Sequence, residues 1–439
     1  MQPGDKKIHN QENFIRAVVA DETGEIFDLP DFAAVGMAGN TFYPLNGADT
    51  IKIPFGSELM MLPRRRPIVF DPESNDFIAL KFNPYEPGRK IFPVAVFNSP
   101  GYVNRYSAAF EDETNSDILP LFSYGAAGFT ANGFISSAIL IDNEPRQDLR
   151  LMPWDKIITG IESMQKQYPD NRLMRHLEKC ALEYGCPAGK NFFLKRYEAP
   201  LPTAETCNAR CLGCISLQKD TSITSPQNRI KFTPDAREIA EVALEHITTV
   251  DNSIVSFGQG CEGDPLTAFK VIEPAIKMIR SRTSSGTINF NSNAGRPDLL
   301  EQLFDAGLDS MRVSINSVRE PCYNAYFRPR GYKLKDVLES IDKALEKGKF
   351  VSLNYINCPG FTDSELEFNA LVEFLKRYPV NMIQWRNLNY DPIHYYRTMF
   401  KAGKESQPLG MEVIINRLKT LFPKLIHGYF NPPKEKHAG

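Results

Sequence analysis

The sequence predicts an α/β protein: a partial (β/α)6 barrel of the TIM type, preceded by a β-rich N-terminal accessory domain. Two observations carry this. From about residue 196 onward, short apolar runs alternate with amphipathic, capped segments, the mark of parallel βα units. Before about residue 150 the apolar runs are short and bounded by Gly, Pro, Asn or Asp, which reads as strands. At 439 residues the chain is also too long for one ordinary domain. The expected organisation is a β-rich accessory domain at 1–150, a helical connector at 151–195, the barrel core at 196–392, and a C-terminal helical extension and tail at 393–439.

In the first part, Phe14-Ile15-Arg16-Ala17-Val18-Val19, Phe92-Pro93-Val94-Ala95-Val96-Phe97 and Phe134-Ile135-Ser136-Ser137-Ala138-Ile139-Leu140-Ile141 are strand candidates. Arg64-Arg65-Arg66 reads as a solvated face. Over 155–184, Ile157, Ile158, Ile161 and Met164 share one helical face, then Leu173, Leu177 and Leu182 another. Barrel strands are expected at 202–206, 253–257, 287–290, 310–315, 350–356 and 381–386. Helices are expected between them. One is capped by Thr233 with Pro234 at its first turn. Others lie at 268–279, at 298–306 closed by Gly307, before Gly348, and after a capping box of Thr362 and Glu365. One more helix is expected near 411–421, then a polar tail.

Composition narrows the function. A net charge of −2 supplies no basic footprint for nucleic acid. No stretch reaches the roughly 20 apolar residues that span a bilayer, and the polar N-terminus lacks the apolar core of a signal peptide. The expectation is a cytoplasmic protein without membrane or nucleic-acid partners. Eight cysteines in such a chain favour metal binding over disulfides.

Cys207, Cys211 and Cys214 form a C-x3-C-x2-C loop after the first predicted barrel strand. Thiolates hold iron–sulfur clusters, normally four per cubane. Three leave one iron open to a substrate's amine and carboxylate. Zinc usually takes paired C-x2-C knuckles and four ligands, and the second pair is missing here.

With its neighbours, this loop resembles the radical S-adenosylmethionine (SAM) superfamily over about 200–391. Gly260-Cys261-Glu262-Gly263-Asp264-Pro265-Leu266 is similar to the family's G-x-G-E-P-L turn, with Asp264 where Glu is usual and Cys261 where Gly is common. Asn291-Ser292-Asn293 is similar to the family's T-N-G, and the 307–315 segment looks like its fourth strand. The resemblance implies a 4Fe-4S cluster on Cys207, Cys211 and Cys214. It implies SAM contacts from Gly263, Asp264, Pro265, Asn293, Arg312, Ser314 and Asn354. It further implies reductive cleavage of SAM to a 5′-deoxyadenosyl radical that abstracts hydrogen from a substrate. An organic or peptide substrate and an electron donor such as a flavodoxin or ferredoxin are the expected partners. In a barrel such groups gather at the C-terminal ends of the strands, where the predicted strands put them.

The competing readings are a non-catalytic iron–sulfur sensor or electron-transfer protein and a zinc-binding structural module. No second dense cysteine cluster follows the sixth strand, which argues against C-terminal auxiliary clusters, and no cobalamin signature stands out. Cys180, Cys186, Cys261, Cys322 and Cys358 read as buried thiols, and His394 as a surface or core residue. Gln384, Arg386, Asn387, Asn389 and Tyr390 either line a cavity or seal the barrel's open edge. The N-terminal domain is expected to serve substrate access or docking.

Overall fold

The computed structural model describes residues 14–218, 223–404 and 406–437; the polar stretch at residues 1–7 lies outside them. Among the described residues, no helix is long and apolar enough to cross a membrane. The described chain between Arg16 and Ser136 folds mainly into a 13-stranded antiparallel sheet. Its segment Ile91–Phe97 is a central strand. The expected single run at 134–141 is broken at Ser137 into Gly133–Ser136 and Ala138–Leu140, which pair in different sheets. Ser137 N–H turns aside to bond Ala126 O (2.9 Å).

Three helices follow: α1 (Trp154–Gln167), α2 (Arg172–Leu182) and α3 (Pro187–Phe193). Ile157, Ile161, Met164, Leu173 and Leu177 are buried, as the helical period requires.

The second half is a seven-stranded, wholly parallel sheet in sequential order. Its strands are β1 (Glu198–Pro200), β2 (Ile254–Phe257), β3 (Thr287–Ser292), β4 (Ser310–Ile315), β5 (Phe350–Asn357), β6 (Met382–Asn387) and β7 (Ile426–Gly428). Helices α4 (Ala236–Thr249), α5 (Phe269–Arg282), α6 (Pro297–Ala306), α7 (Glu320–Phe327), α8 (Leu334–Glu346), α9 (Glu365–Arg377), α10 (Pro392–Gly403) and α11 (Met411–Leu421) connect them. Sequential order with helical crossovers curls the sheet into the partial barrel.

Several details differ from the sequence reading. The first strand lies at 198–200 rather than 202–206, because the backbone of Thr203 and Ala204 bonds a buried carboxylate instead of a neighbouring strand. Helix α4 is capped by Asp235, which forms a capping box with Glu238, and not by Thr233. Helix α9 is capped by Ser364, while the Thr362 hydroxyl bonds Cys358 N and Ile356 O. The tail adds a seventh strand and then runs inward. Asn431 Nδ2 reaches Glu198 on β1 (2.8 Å), and its Oδ1 accepts from Gln384 on β6 (2.9 Å), so the tail bridges the two sides of the open sheet. Arg65 is not solvated: it is 5 % exposed and ion-paired to Asp391 at 3.4 Å and Asp112 at 3.4 Å. Only its neighbours Arg64 and Arg66 keep substantial exposure.

Arg65 therefore pins the N-terminal sheet to the loop after β6. Asn387 on β6 strengthens this junction, accepting from Asn104 N (2.9 Å) and donating to Tyr102 O (2.9 Å). Val103 and Leu121 share one apolar core with the barrel.

Candidate active site

The cysteine loop is held on both flanks by backbone bonds. On one side stands Glu262, buried in the turn after β2. Its Oε2 accepts from Thr203 N (2.8 Å) and Ala204 N (2.9 Å), and its Oε1 from Gly258 N (2.8 Å) and Gln259 N (2.7 Å). Burial pushes this carboxyl up to about 7, opposed by those four N–H donors. The two chains come so close that a Cβ at Gly263 would lie 1.8 Å from Thr206 O; only glycine fits there. Gly263 N also donates to Ala204 O (2.6 Å). On the other side, Arg210 N and Leu212 N donate to Phe327 O and Tyr326 O at the end of α7 (2.9 and 3.0 Å).

This loop presents Cys207, Cys211 and Cys214 to a cavity of about 690 Å³, also lined by Arg210, Arg229, Arg328, Arg330, Tyr390 and His394. Burial pushes the Cys207 thiol up to about 11 and holds that of Cys211 well above its ordinary value. Arg229 Nη2 stands 3.6 Å from Cys214 Sγ. Cys211 and Cys214 line a second cavity as well, of about 680 Å³, at the C-terminal ends of the barrel strands.

That second cavity brings together Arg312, Ser314 and Asn354 with Gly260, Glu262, Arg386, Asn387 and Asn389. Three of its lining residues carry buried polar atoms without a partner: Asn98 Oδ1, Arg312 Nε and Asn354 Oδ1. Arg312 keeps one bond, from Nη1 to Gln384 Oε1 (3.1 Å). Burial, then the nearby Arg386 guanidinium, pulls its pKa down to about 9. The N-terminal sheet contributes Phe97, Asn98, Pro100 and Ser123 to the wall, and the tail contributes Tyr429.

Gly263, Asp264, Pro265 and Asn293 do not line this wall. Asp264 is buried behind it. Its carboxylate accepts from Leu266 N (3.0 Å), Ser292 Oγ (2.9 Å) and Asn293 N (2.7 Å), tying the turn to the end of β3. Asn293 Nδ2 donates to Asn208 Oδ1 in the cysteine loop (2.5 Å). Of the polar group after β6, Arg386, Asn387 and Asn389 line the barrel cavity, Tyr390 faces the outer one, and Gln384 is fully buried. The sequence reading passed over Glu262 and Arg229 and named no residue as part of the N-terminal wall. Glu262 stood inside a quoted motif, but only the fold shows that it gathers four N–H groups.

The donor set fits a cluster. Three soft thiol donors face one cavity with guanidinium groups around it. Among the described residues, the group of His, Cys, Asp or Glu side chains whose ligand atoms lie within 4.8 Å of one another is a different one. The triad is therefore not gathered about a single-ion centre. The partnerless Arg312 Nε and Asn354 Oδ1 fit a polar ligand in the adjoining cavity.

Residues 201–371 match a family model described as the Radical SAM superfamily. The chain is 27 % identical over 225 residues to GTP 3′,8-cyclase of Clostridium botulinum, covering 50 % of this chain and 63 % of that protein. It is 24 % identical over 178 residues to the FeMo cofactor biosynthesis protein NifB of Klebsiella pneumoniae, covering 37 % and 38 %. It thus spans less than two thirds of either relative. Among solved structures, Streptococcus suis SuiB bound to precursor peptide SuiA aligns with a TM-score of 0.39 at 11 % identity, covering 70 % of each chain. A radical SAM methyltransferase from Sphaerobacter thermophilus aligns with a TM-score of 0.38 at 14 % identity, covering 53 % and 66 %. With its cysteine loop at the mouth of a parallel half-barrel, the segment 201–371 matches the Radical SAM superfamily.

Proposed function

We propose that this chain is a radical SAM enzyme acting on an organic substrate enclosed between the half-barrel, the N-terminal sheet and the C-terminal tail. The carrying observation is a single cavity in which Cys211 and Cys214 share a wall with Arg312 and Asn354, each of the latter holding a buried polar atom without a partner. Cys207, Cys211 and Cys214 would hold the 4Fe-4S cluster. Arg312, Ser314, Asn354 and the backbone of the turn at 260–263 would hold SAM. Together these cofactors supply, when bound, the reductive cleavage of SAM that yields a 5′-deoxyadenosyl radical for hydrogen abstraction.

The chain's own residues orient and exclude. Arg312 offers Nε to a carboxylate, a charge-assisted bond stronger than a neutral one. Asn354 offers an acceptor to an amine or hydroxyl donor. Glu262 and Asp264 hold the turn and the cysteine loop in fixed register. Phe97, Pro100 and Tyr429 close the side that a partial barrel leaves open, keeping water and buffer from a reactive site. The outer cavity, with Arg210, Arg229, Arg328 and Arg330 beside the cysteines, suits an acidic electron donor such as a flavodoxin.

The test is anaerobic reconstitution followed by reduction in the presence of SAM. About four irons and four sulfides per chain and formation of 5′-deoxyadenosine are expected. A protein that holds the cluster yet releases no 5′-deoxyadenosine under any reductant would overturn the enzymatic reading in favour of a sensor or electron carrier.

A further inference from the structure

Outside the candidate active site, the fold assembles a second set of soft donors. His176 and Cys180 stand four residues apart on α2, hence on one helical face. Their side chains meet, with His176 Nε2 3.5 Å from Cys180 Sγ. Cys261 arrives from the turn after β2, some eighty positions later. One ligand atom from each of the three lies within 4.8 Å of those from the other two. Cys180 and Cys261 are buried, and all eight cysteines are free thiols. Cys186 follows six positions after Cys180, and its backbone N–H bonds Cys180 O (2.9 Å); its thiol stands outside the group of three whose ligand atoms lie within 4.8 Å of one another.

The spacing suits one small cation. With Zn–S near 2.3 Å and Zn–N near 2.0–2.1 Å, a tetrahedral site needs an S···N edge of about 3.6 Å. The observed 3.5 Å between His176 and Cys180 matches it. Structural zinc sites are four-coordinate, and Cys3His is one of their common donor sets.

We propose that His176, Cys180 and Cys261 form a second metal site that takes one zinc-type divalent cation, its fourth position completed by water or by a turn of the Cys186 side chain. Its consequence is mechanical. Cys261 sits between Gly260, which lines the barrel cavity, and Glu262, which gathers the four N–H groups of the cysteine loop and the turn. A cation there would clamp α2 to the turn nearest SAM, fixing it from outside the barrel. The site needs no radical chemistry and stands or falls apart from the proposed activity.

Elemental analysis of the anaerobically reconstituted full chain should find about one zinc per chain beside the iron. X-ray absorption at the zinc edge should show sulfur near 2.3 Å and nitrogen near 2.0 Å. Cys180→Ala and His176→Ala should each lower bound zinc at least tenfold while the iron content stays within a fifth of the parent value. The triple variant Cys207→Ala, Cys211→Ala, Cys214→Ala should keep the zinc. Zinc below a tenth of an equivalent in the unsubstituted chain overturns the proposal. So do a nitrogen- and oxygen-only shell, recovery of Cys180 and Cys261 as a disulfide, or iron in the site instead of zinc. The unsubstituted chain alone decides these, so a variant that fails to fold does not rescue the idea.

Discussion

At the residue scale, the cavity separates two kinds of polar side chain. Arg312 and Asn354 hold buried atoms without a partner; the carboxylates of Glu262 and Asp264 are already taken by backbone N–H groups and, for Asp264, the Ser292 hydroxyl. Arg312→Gln and Asn354→Ala should therefore weaken SAM binding about tenfold or more, equivalent to ~1.4 kcal/mol, with iron content unchanged; titration calorimetry of the reconstituted protein reads this. Ser314→Ala belongs with them, as a smaller loss. Asp264→Ala belongs elsewhere. It strands Leu266 N, Asn293 N and the Ser292 hydroxyl, and an unsatisfied buried group costs about 1–3 kcal/mol. Its melting temperature should fall by several degrees, and both iron and SAM affinity with it. Unchanged melting in Asp264→Ala would show that its carboxylate is free to meet SAM directly. Cys207→Ala, Cys211→Ala or Cys214→Ala should each abolish stable cluster formation or 5′-deoxyadenosine release, by iron assay and chromatography. The three cysteines were legible from spacing alone, because cluster ligation demands a particular residue type in a short loop. The division of labour between Asp264 and Arg312 was not legible, since burial and partners are properties of the folded chain.

At the scale of elements, the turn after β2 is the piece on which the site depends. Gly263→Ala would thrust a Cβ to within 1.8 Å of Thr206 O, backbone against backbone, and the cysteine loop must yield. Loss of most bound iron with secondary structure retained is expected, by iron assay and circular dichroism; full iron in Gly263→Ala would show that the two segments can part without harm. Helix α4 supplies a pH-dependent term. His246 is 1 % exposed, and burial pulls its pKa down to about 4. The unfolded chain then takes up this proton near pH 6.5 and the folded chain only near 4. Its contribution is complete above about pH 6.5 and is lost as pH falls toward 4, by about 3 kcal/mol in all. Urea denaturation of the metal-free parent and of His246→Phe at pH 7 and pH 5 should show this as a difference between the two: the parent loses more stability, or gains less, than His246→Phe on going to pH 5. Helix and strand identity followed from periodicity here, whereas the caps did not: Thr233 and Asp235 are both good candidates in sequence, and only the hydrogen bond to Glu238 N chooses Asp235.

At the scale of the molecule, closure of the barrel is shared by segments distant in sequence. Phe97 and Pro100 from the N-terminal sheet and Tyr429 from the tail stand on one wall with Arg312 and Asn354. If that wall shields the site, Phe97→Ala combined with Pro100→Ala should leave cluster content and SAM binding intact. Release of 5′-deoxyadenosine without substrate conversion should rise severalfold, and a ratio equal to that of the parent protein would remove the N-terminal sheet from the reaction. Removing the whole segment before residue 150 is a harsher experiment, because Val103 and Leu121 belong to the barrel's own core and the cut would expose it.

The sequence by itself determined the barrel order, the three-cysteine loop and the family resemblance. Each rests on local spacing: a 3.6-residue period, a glycine-rich turn, three thiols within eight positions. Only the tertiary structure decided what distant segments do together. It buried Arg65 against Asp391, sent Asn431 between β1 and β6, and brought Cys261 to His176 and Cys180. Such pairings are set by how whole elements pack, and packing depends on surfaces that residues far apart in the chain complete jointly.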